Sequence, residues 1–401
     1  MDVQPIGKAK ERKNKLSPPT GSALEKKTED EAREEVFHIL INNRALTSTV
    51  YNEELRAFHT NRLRIDQRVE VLNPNDTTEV RPALVKSIIG NRAWLNVALL
   101  DVKTCDNDDI QMHEGIYLHV ESPMIFPVGW AVKNDYGINA NEAYLEHCRK
   151  IVDEEKRGEN PSYEEIDARP EQFAPPSYFK PKGNWKKGDC LEVLDPLDAR
   201  FNTLRVAYVK KVLSDGYLEI AFECGSNDEV LPIHSTSALL FPPGYAEQYG
   251  IELEKPKKKK KRGVEFTWNN YINLWNKGKR FRPKATLFHQ VPSAEEMAQK
   301  FPIGAKLEAA DQVQSRKFIC PAEVRATKGR IVVIAFDGWA SQYDQLFHHR
   351  SPYLNPLGWC EMVGNFLVSP HESSEQPEEV PSPSTNRTPK GSAKRRATKK
   401  S

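Results

Sequence analysis

One motif recurs three times at a nearly constant interval, and it fixes the architecture before any element is assigned. Phe126-Pro-Val-Gly-Trp130, Phe241-Pro-Pro-Gly-Tyr245 and Asn355-Pro-Leu-Gly-Trp359 are followed by further glycines at Gly137, Gly250 and Gly364. The first glycines of the copies, Gly129, Gly244 and Gly358, are 115 and 114 residues apart. That period is domain-sized and far longer than a solenoid repeat, so each copy must hold its own small core. A chain of 401 residues has room for three such units and flanking segments.

A second landmark lies upstream of each motif: Val69-Glu-Val-Leu-Asn-Pro74, Leu191-Glu-Val-Leu-Asp-Pro196 and Leu307-Glu-Ala-Ala-Asp311. Paired β-type runs follow it, at 82–89 and 94–99, at 204–212 and 217–222, and at 318–326 and 331–336. Gly90, Gly216 and Gly329 sit between the members of each pair as turn signals. Short strands with this punctuation predict a small barrel per repeat. Before the barrels come connecting arms. Residues 31–58 and 268–298 show helical spacing, with Tyr271, Ile272 and Trp275 on one face and Ser293 with Glu296 fitting a capping box. Residues 161–181 are Pro-rich and more extended. In the repeated motif, proline then glycine then a large ring most simply closes a turn, which gives Trp130, Tyr245 and Trp359 a structural role.

Charge divides the same way. The 58 Lys and Arg nearly balance the 56 Asp and Glu, for a net charge of +2. Three clusters hold much of the positive charge: residues 8–15, the run KPKKKKKR from Lys255 to Arg262, and the tail from 386 to 401. Without them 39 basic and 55 acidic residues remain, a body of −16. Self-repulsion and the absence of an apolar face make the clusters a disordered basic arm (1–30), a Lys-rich linker (255–263) and a disordered basic tail (371–401). Repeats are expected at 31–148, 161–254 and 264–370. The linker run from Lys255 to Arg262 and the tail segment from Arg387 to Lys400 resemble nuclear-import signals, and the linker could make weak, salt-sensitive contact with nucleic-acid phosphates. No apolar run reaches the ~18–20 residues of a membrane span. The six cysteines are scattered without a C-x-x-C pair, as in a reduced intracellular protein. No Walker loop, G-x-S-x-G, G-x-G-x-x-G or zinc spacing occurs, so neither catalysis, cofactor nor metal is expected. His348 and His349 read as a polar loop end, since neighbours in a strand face opposite ways.

The set of landmarks resembles the malignant brain tumour (MBT) repeats of Polycomb-group and related chromatin proteins. It rests on the Leu-Glu-x-x-Asp opening strand, the Phe336-Asp-Gly-Trp339 turn with Tyr343-Asp344 after it, and the close Ser351-Pro…Asn355-Pro-Leu-Gly-Trp-Cys360. The third copy is near the family pattern, the second partial and the first remote. The resemblance implies a mainly β fold: three Tudor-like (SH3-like) barrels, each with an extended or helical arm packed on a neighbour, in a propeller-like array. It also implies one binding-competent repeat that holds mono- or dimethylated lysine in an aromatic cage closed by an aspartate. Carried over residue by residue, the cage falls on Asp311, Phe336, Trp339 and Tyr343. The family's binding repeats commonly place Asn three residues after the Asp, where this chain has Gln314 in a loop one residue longer. In the second repeat Asp195 and Phe222 persist but Gly225 and Glu229 replace the Trp and Tyr; in the first, Asn73 replaces the Asp and the turn is missing near Leu99. Neither is expected to surround a cation with aromatic faces.

The chemistry suits such a ligand. Methylation keeps lysine's charge but removes hydrated N–H groups, which lowers the cost of desolvation. Each aromatic face then attracts the cation by ~0.5–2 kcal/mol. A carboxylate selects lower methylation states, because mono- and dimethylammonium keep an N–H to donate and trimethylammonium does not. A single aromatic at a strand end is most simply core; four residues at matching positions read as a cage. The expectation is a non-enzymatic nuclear reader of methylated histone tails that acts in repression or compaction, with corepressor proteins as further partners and no membrane. The competing reading is a nuclear scaffold or nucleic-acid-associated protein that binds no methyl-lysine.

Overall fold

The computed structural model describes residues 63–368 apart from 91, 98–114, 174–178, 224–228, 257–264, 314–315 and 317. The basic arm, the tail, most of the Lys-rich linker, the expected helix at 31–58, Gly225 and Gln314 lie outside the described residues. Three antiparallel sheets follow one another. The first comprises β1 (Arg68–Leu72), β2 (Glu79–Ile89), β3 (Arg92–Asn96), β4 (Gly115–His119) and β5 (Ile125–Phe126), ordered β4-β3-β2-β1-β5, with β6 (Gly137–Ile138) added in parallel to β2. The second repeats that order with β7 (Cys190–Val193), β8 (Thr203–Val212), β9 (Tyr217–Phe222), β10 (Val230–His234), β11 (Leu240–Phe241) and a parallel β12 (Glu252–Glu254). The third comprises β13 (Lys306–Ala310), β14 (Ile319–Lys328), β15 (Ile331–Phe336), β16 (Gln345–His348) and β17 (Leu354–Asn355).

Each sheet curls into a half-barrel, and the long second strand shows why. Its pairing slips between Val85 and Ser87, between Val209 and Lys211, and between Val324 and Ala326, the same place in each repeat. A bulge there bends the strand and tightens its twist, so the sheet wraps over Val69, Leu95 and Phe126, or Leu307, Ile334 and Phe347. Full burial of such a side chain contributes about 1.5–3 kcal/mol.

The two repeated sequence landmarks turn out to be one device. Glu70, Glu192 and Glu308, from the opening strands, are buried beneath the Pro-x-Gly-aromatic turns. Glu70 accepts the N–H groups of Gly129 (2.9 Å) and Ala131 (2.8 Å), Glu192 those of Gly244 and Ala246 (both 2.7 Å), and Glu308 those of Gly358 and Cys360 (both 2.7 Å). Each glutamate thereby satisfies the first amides of a short helix: α1 (Trp130–Asn134), α3 (Tyr245–Tyr249) or α5 (Trp359–Val363). The glycine before each helix is left-handed, φ +85°, +95° and +79°, which explains its recurrence.

The rings that open these helices are structural, as expected, and they also receive the neighbouring repeat. The β8–β9 hairpin packs Tyr217 edge-on to Trp130, ring centroids 5.4 Å apart, and Ser214 donates to Asn134 (2.7 Å). At the β14–β15 hairpin, Arg330 lies fully buried against repeat 2, its guanidinium 3.9 Å from the Phe241 ring centroid and bonded to the carbonyls of Ala238 and Leu240. At the β2–β3 hairpin, Gly90 approaches Trp359 so closely that a Cβ there would lie 2.4 Å from the indole. Repeat 2 thus leans on repeat 1, repeat 3 on repeat 2 and repeat 1 on repeat 3. The ring closes as the expected propeller-like array, around a central cavity of about 150 Å³ with Phe201, Tyr217, Arg316 and Tyr353 in its wall.

Arms pack on the preceding repeat. The Pro-rich stretch hydrogen-bonds to repeat 1 through Ile166 and Ala168, and α2 (Glu142–Lys156) packs on α1. Trp268 donates its indole N–H to Glu192 (2.7 Å), and Phe288 sits edge-on to Trp185. The arm at 268–298 is less helical than its spacing suggested. Helical turns cover 268–275, and α4 (Ala294–Lys300) starts at the expected capping box of Ser293 and Glu296. Gly278, at φ +75°, and Pro283 interrupt the span between them. His348 and His349 stand at the junction of strand and turn: His348 completes β16 and lines the central cavity, and His349, the first residue of the turn, donates its backbone N–H to the Arg330 carbonyl.

Candidate functional site

The four expected site residues come from two neighbouring loops at one end of the third sheet. Asp311 follows β13, Phe336 ends β15, and Trp339 and Tyr343 lie in the β15–β16 connection. Left-handed Gly338, at φ +83°, turns the chain after Phe336, and Trp339 N–H closes the turn on the Phe336 carbonyl (3.1 Å). Lys306 holds Asp337 of that turn at 2.9 Å and Glu323 at 3.2 Å, which ties this second acid away as a structural group. Phe336 is buried in the core of the repeat, Trp339 is half-buried against that core, and Tyr343 is 37% exposed. The Trp339 and Tyr343 rings meet at 5.2 Å and 74°, two faces of a corner.

Asp311 is presented by its own local chemistry. Its Oδ1 accepts the N–H of Val313 (3.0 Å), a side-chain turn that also occurs from Asn73 to Asn75 and from Asp195 to Leu197 in the other repeats. The same Oδ1 accepts from Gln345 Nε2 at 2.7 Å, and Gln345 Oε1 in turn accepts the Gln312 N–H at 3.0 Å. Among the described residues nothing donates to Oδ2. A buried amide two residues after Tyr343 thus fixes the carboxylate by one oxygen and leaves the other without a donor among the described residues. Cys320 of β14, opposite Ala309, lies close by: burial first and then the Asp311 charge push its thiol up to about 12, so it is a neutral wall and not a nucleophile.

Sequence reading passed over Gln345 and Cys320. Gln345 could have been suspected from a polar residue opening a strand ahead of Leu346 and Phe347, but Cys320 carries no local signal.

The corresponding places in the other repeats differ. In repeat 2 the sheet brings together Asp195, Phe222 and Glu229, and Arg205 lies among them. Its guanidinium pairs with Asp195 and Glu229, reaches Glu254 at 3.1 Å and sits 4.0 Å from the Phe222 ring centroid. Repeat 2 was expected not to surround a cation with aromatic faces; its own Arg205 lies there, against one ring and among carboxylates. In repeat 1, Asn73 bonds Glu79 at 2.8 Å and Arg81 approaches the same carboxylate at 3.4 Å. Asn96 pairs with Leu84, so Val97 stands where Phe222 and Phe336 stand.

One further polar cluster lies apart from these loops. His147, Glu164 and Asp167 converge, with His147 Nε2 2.7 Å from Asp167. Arg68 reaches Asp167 at 2.6 Å and Glu164 at 3.1 Å, so the carboxylates already have a counter-charge and the cluster fastens the arm to β1.

A model of the mbt repeat family matches residues 67–145, 189–260 and 305–374. Protein lin-61 of Caenorhabditis elegans is 34% identical over 334 residues, covering 80% of this chain and 53% of that protein. MBT domain-containing protein 1 of Homo sapiens is 32% identical over 313 residues, 77% of this chain and 44% of its own length. Polycomb protein Sfmbt of Drosophila pseudoobscura pseudoobscura is 30% identical over 393 residues, 95% of this chain and 28% of its own. Among solved structures, the four MBT repeats of Drosophila melanogaster Sfmbt in complex with the peptide RHR(me)KVLR match with a TM-score of 0.61 and 28% identity, over 77% of this chain and 67% of that one. The chain spans about half the length of the curated relatives it matches.

Proposed function

Because the chain belongs to the MBT repeat family, we propose that it is a non-enzymatic chromatin reader whose third repeat takes in the side chain of a mono- or dimethylated lysine from a histone tail. The observation that carries this reading is the Gln345 bond that ties Asp311, by one oxygen only, to the strand directly after the Trp339–Tyr343 corner. The methylammonium would lie against the rings of Trp339, Tyr343 and Phe336 and donate its remaining N–H to Asp311 Oδ2. Two relatives support it: a Polycomb protein is 30% identical over 95% of this chain, and a structural neighbour was solved with a methylated-lysine peptide.

The reader would reside in the nucleus and serve repression or compaction, with its acidic body attracting cationic tails at long range. Corepressor proteins would be its further partners, and the Lys-rich linker would contact nucleic acid weakly. Titration of one histone-tail peptide in its unmodified, mono-, di- and trimethylated forms tests the central claim. Mono- and dimethyl-lysine should bind most tightly; equal affinity for all four forms would falsify it.

A further inference from the structure

Alignment of the three sheets by strand pairing isolates one position that separates the third repeat from the others. In the opening pairs, Val71 faces Arg81, Val193 faces Arg205 and Ala309 faces Cys320. Each lies two residues before the alanine (Ala83, Ala207, Ala322) that pairs with the strand's core residue at Val69, Leu191 or Leu307. The three side chains are therefore structural equivalents, on the wall next to the residue that closes the pocket: Asn73, Asp195 or Asp311.

What the second repeat does with this position is informative. Arg205 is buried, 9% exposed, and it meets the partners a bound cation would require: the Asp195 carboxylate, the face of Phe222 at 4.0 Å and a second carboxylate from Glu229, the residue standing where Tyr343 stands in repeat 3. The charge-assisted contacts and the ring contact are of the same kind as those of an inserted cationic side chain. Cys320, four heavy atoms shorter past Cβ and uncharged, reaches none of that space.

We propose that this wall position sets whether a repeat's pocket can take a ligand: Arg205 is an internal ligand that fills the pocket of repeat 2, and Cys320 leaves the space beside Asp311 to an incoming cation. Exchange of one residue converts one state into the other. For repeat 3 the proposal rests on the methyl-lysine reading above; for repeat 2 it does not.

Two arms of one experiment test it on the full chain. In the first, Arg205→Ala and the wild type are melted with increasing methylguanidinium chloride and with matched sodium chloride. The variant should melt lower than the wild type and regain part of the loss saturably with methylguanidinium, while the wild type does not respond. A variant that melts like the wild type, or an equal response of both proteins, overturns the internal-ligand assignment. In the second arm, Cys320→Arg is titrated with the methylated peptide that the wild type binds best. Affinity should fall about tenfold or more while the circular dichroism spectrum and cooperative melt persist; unchanged affinity overturns the gating role. A wild type that binds no methylated peptide overturns the reading of the third repeat, and the methylguanidinium arm then decides repeat 2 by itself. If Cys320→Arg does not fold, Cys320→Met, longer but uncharged, is titrated in its place, and unchanged affinity there likewise overturns the gating role.

Discussion

Gln345 Nε2 donates to Asp311 Oδ1 at 2.7 Å, and this bond joins the loop after β13 to the strand after the aromatic turn. Among the described side chains it is the direct hydrogen bond from the carboxylate to the strand that follows Trp339 and Tyr343. Replacement of Gln345 by Leu keeps the bulk but releases Asp311 and leaves the Gln312 amide without its acceptor. Isothermal titration with a monomethyl-lysine peptide should show affinity falling by roughly tenfold, one hydrogen bond's worth of orientation. Affinity equal to wild type would show that Asp311 needs no such fastening.

The aromatic corner predicts an ordering. Tyr343→Phe retains the ring and should bind within about threefold of wild type, whereas Tyr343→Ala and Trp339→Ala each lose a face worth ~0.5–2 kcal/mol. Because Tyr343 is exposed and Trp339 only half-buried, thermal melts of all three should stay close to wild type. Equal losses for Tyr343→Phe and Tyr343→Ala would point to the hydroxyl and not to the ring.

Arg330→Met tests the seam between the second and third repeats. It removes a buried guanidinium from the Ala238 and Leu240 carbonyls and from the face of Phe241. Unsatisfied carbonyls cost about 1–3 kcal/mol each, so the denaturant midpoint should fall clearly while the proposed methyl-lysine site, at the far end of the sheet, keeps its affinity at low denaturant. Gly329→Ala should act similarly, since its φ is +61° and a Cβ would lie 2.4 Å from the Tyr245 hydroxyl. A midpoint unchanged in both variants would rule out this seam as a source of stability.

Stability should also vary with pH through the buried glutamates. Burial pushes Glu70 up to about 7, against the lowering effect of the Ala131 and Gly129 amides. The folded form thus holds its proton more tightly than the unfolded chain, whose carboxyl titrates near 4.5. The associated stability is present below about pH 4.5 and is lost as pH rises through 7, on the order of 3 kcal/mol in all. His289 and His349, held to about 3 and about 4 by burial, give the opposite slope below neutrality. The difference between wild type and Glu70→Gln in denaturant melts from pH 4.5 to 7.5 isolates the glutamate. A difference that does not change with pH would count against it.

Much of this was legible in the sequence because it recurs. Tyr217–Phe222 and Ile331–Phe336 fall on the expected runs, since the β-branched and apolar residues are bounded by glycine turns. The Ser293 and Glu296 box marks its helix start by local chemistry alone. The arm helix was overread because periodicity persists through Gly278 and Pro283, which break the backbone without disturbing the pattern. Cys320 and Arg205 stayed hidden for a different reason: the loops before them differ in length, so residues equivalent in the sheet are not equidistant from Asp311 and Asp195. Only strand pairing aligns them. Gln345 acts through a partner 34 residues away, a contact that no local spacing encodes.

The contact of Gly90 with Trp359 has a consequence for synthesis. A ribosome releases the β2–β3 hairpin long before the indole that will cover it, so the first repeat must wait with that edge bare while the other two emerge. Pairings so distant in sequence form late and slowly. A nascent chain that has released only two repeats therefore leaves this edge of the first without the indole that covers it in the finished ring.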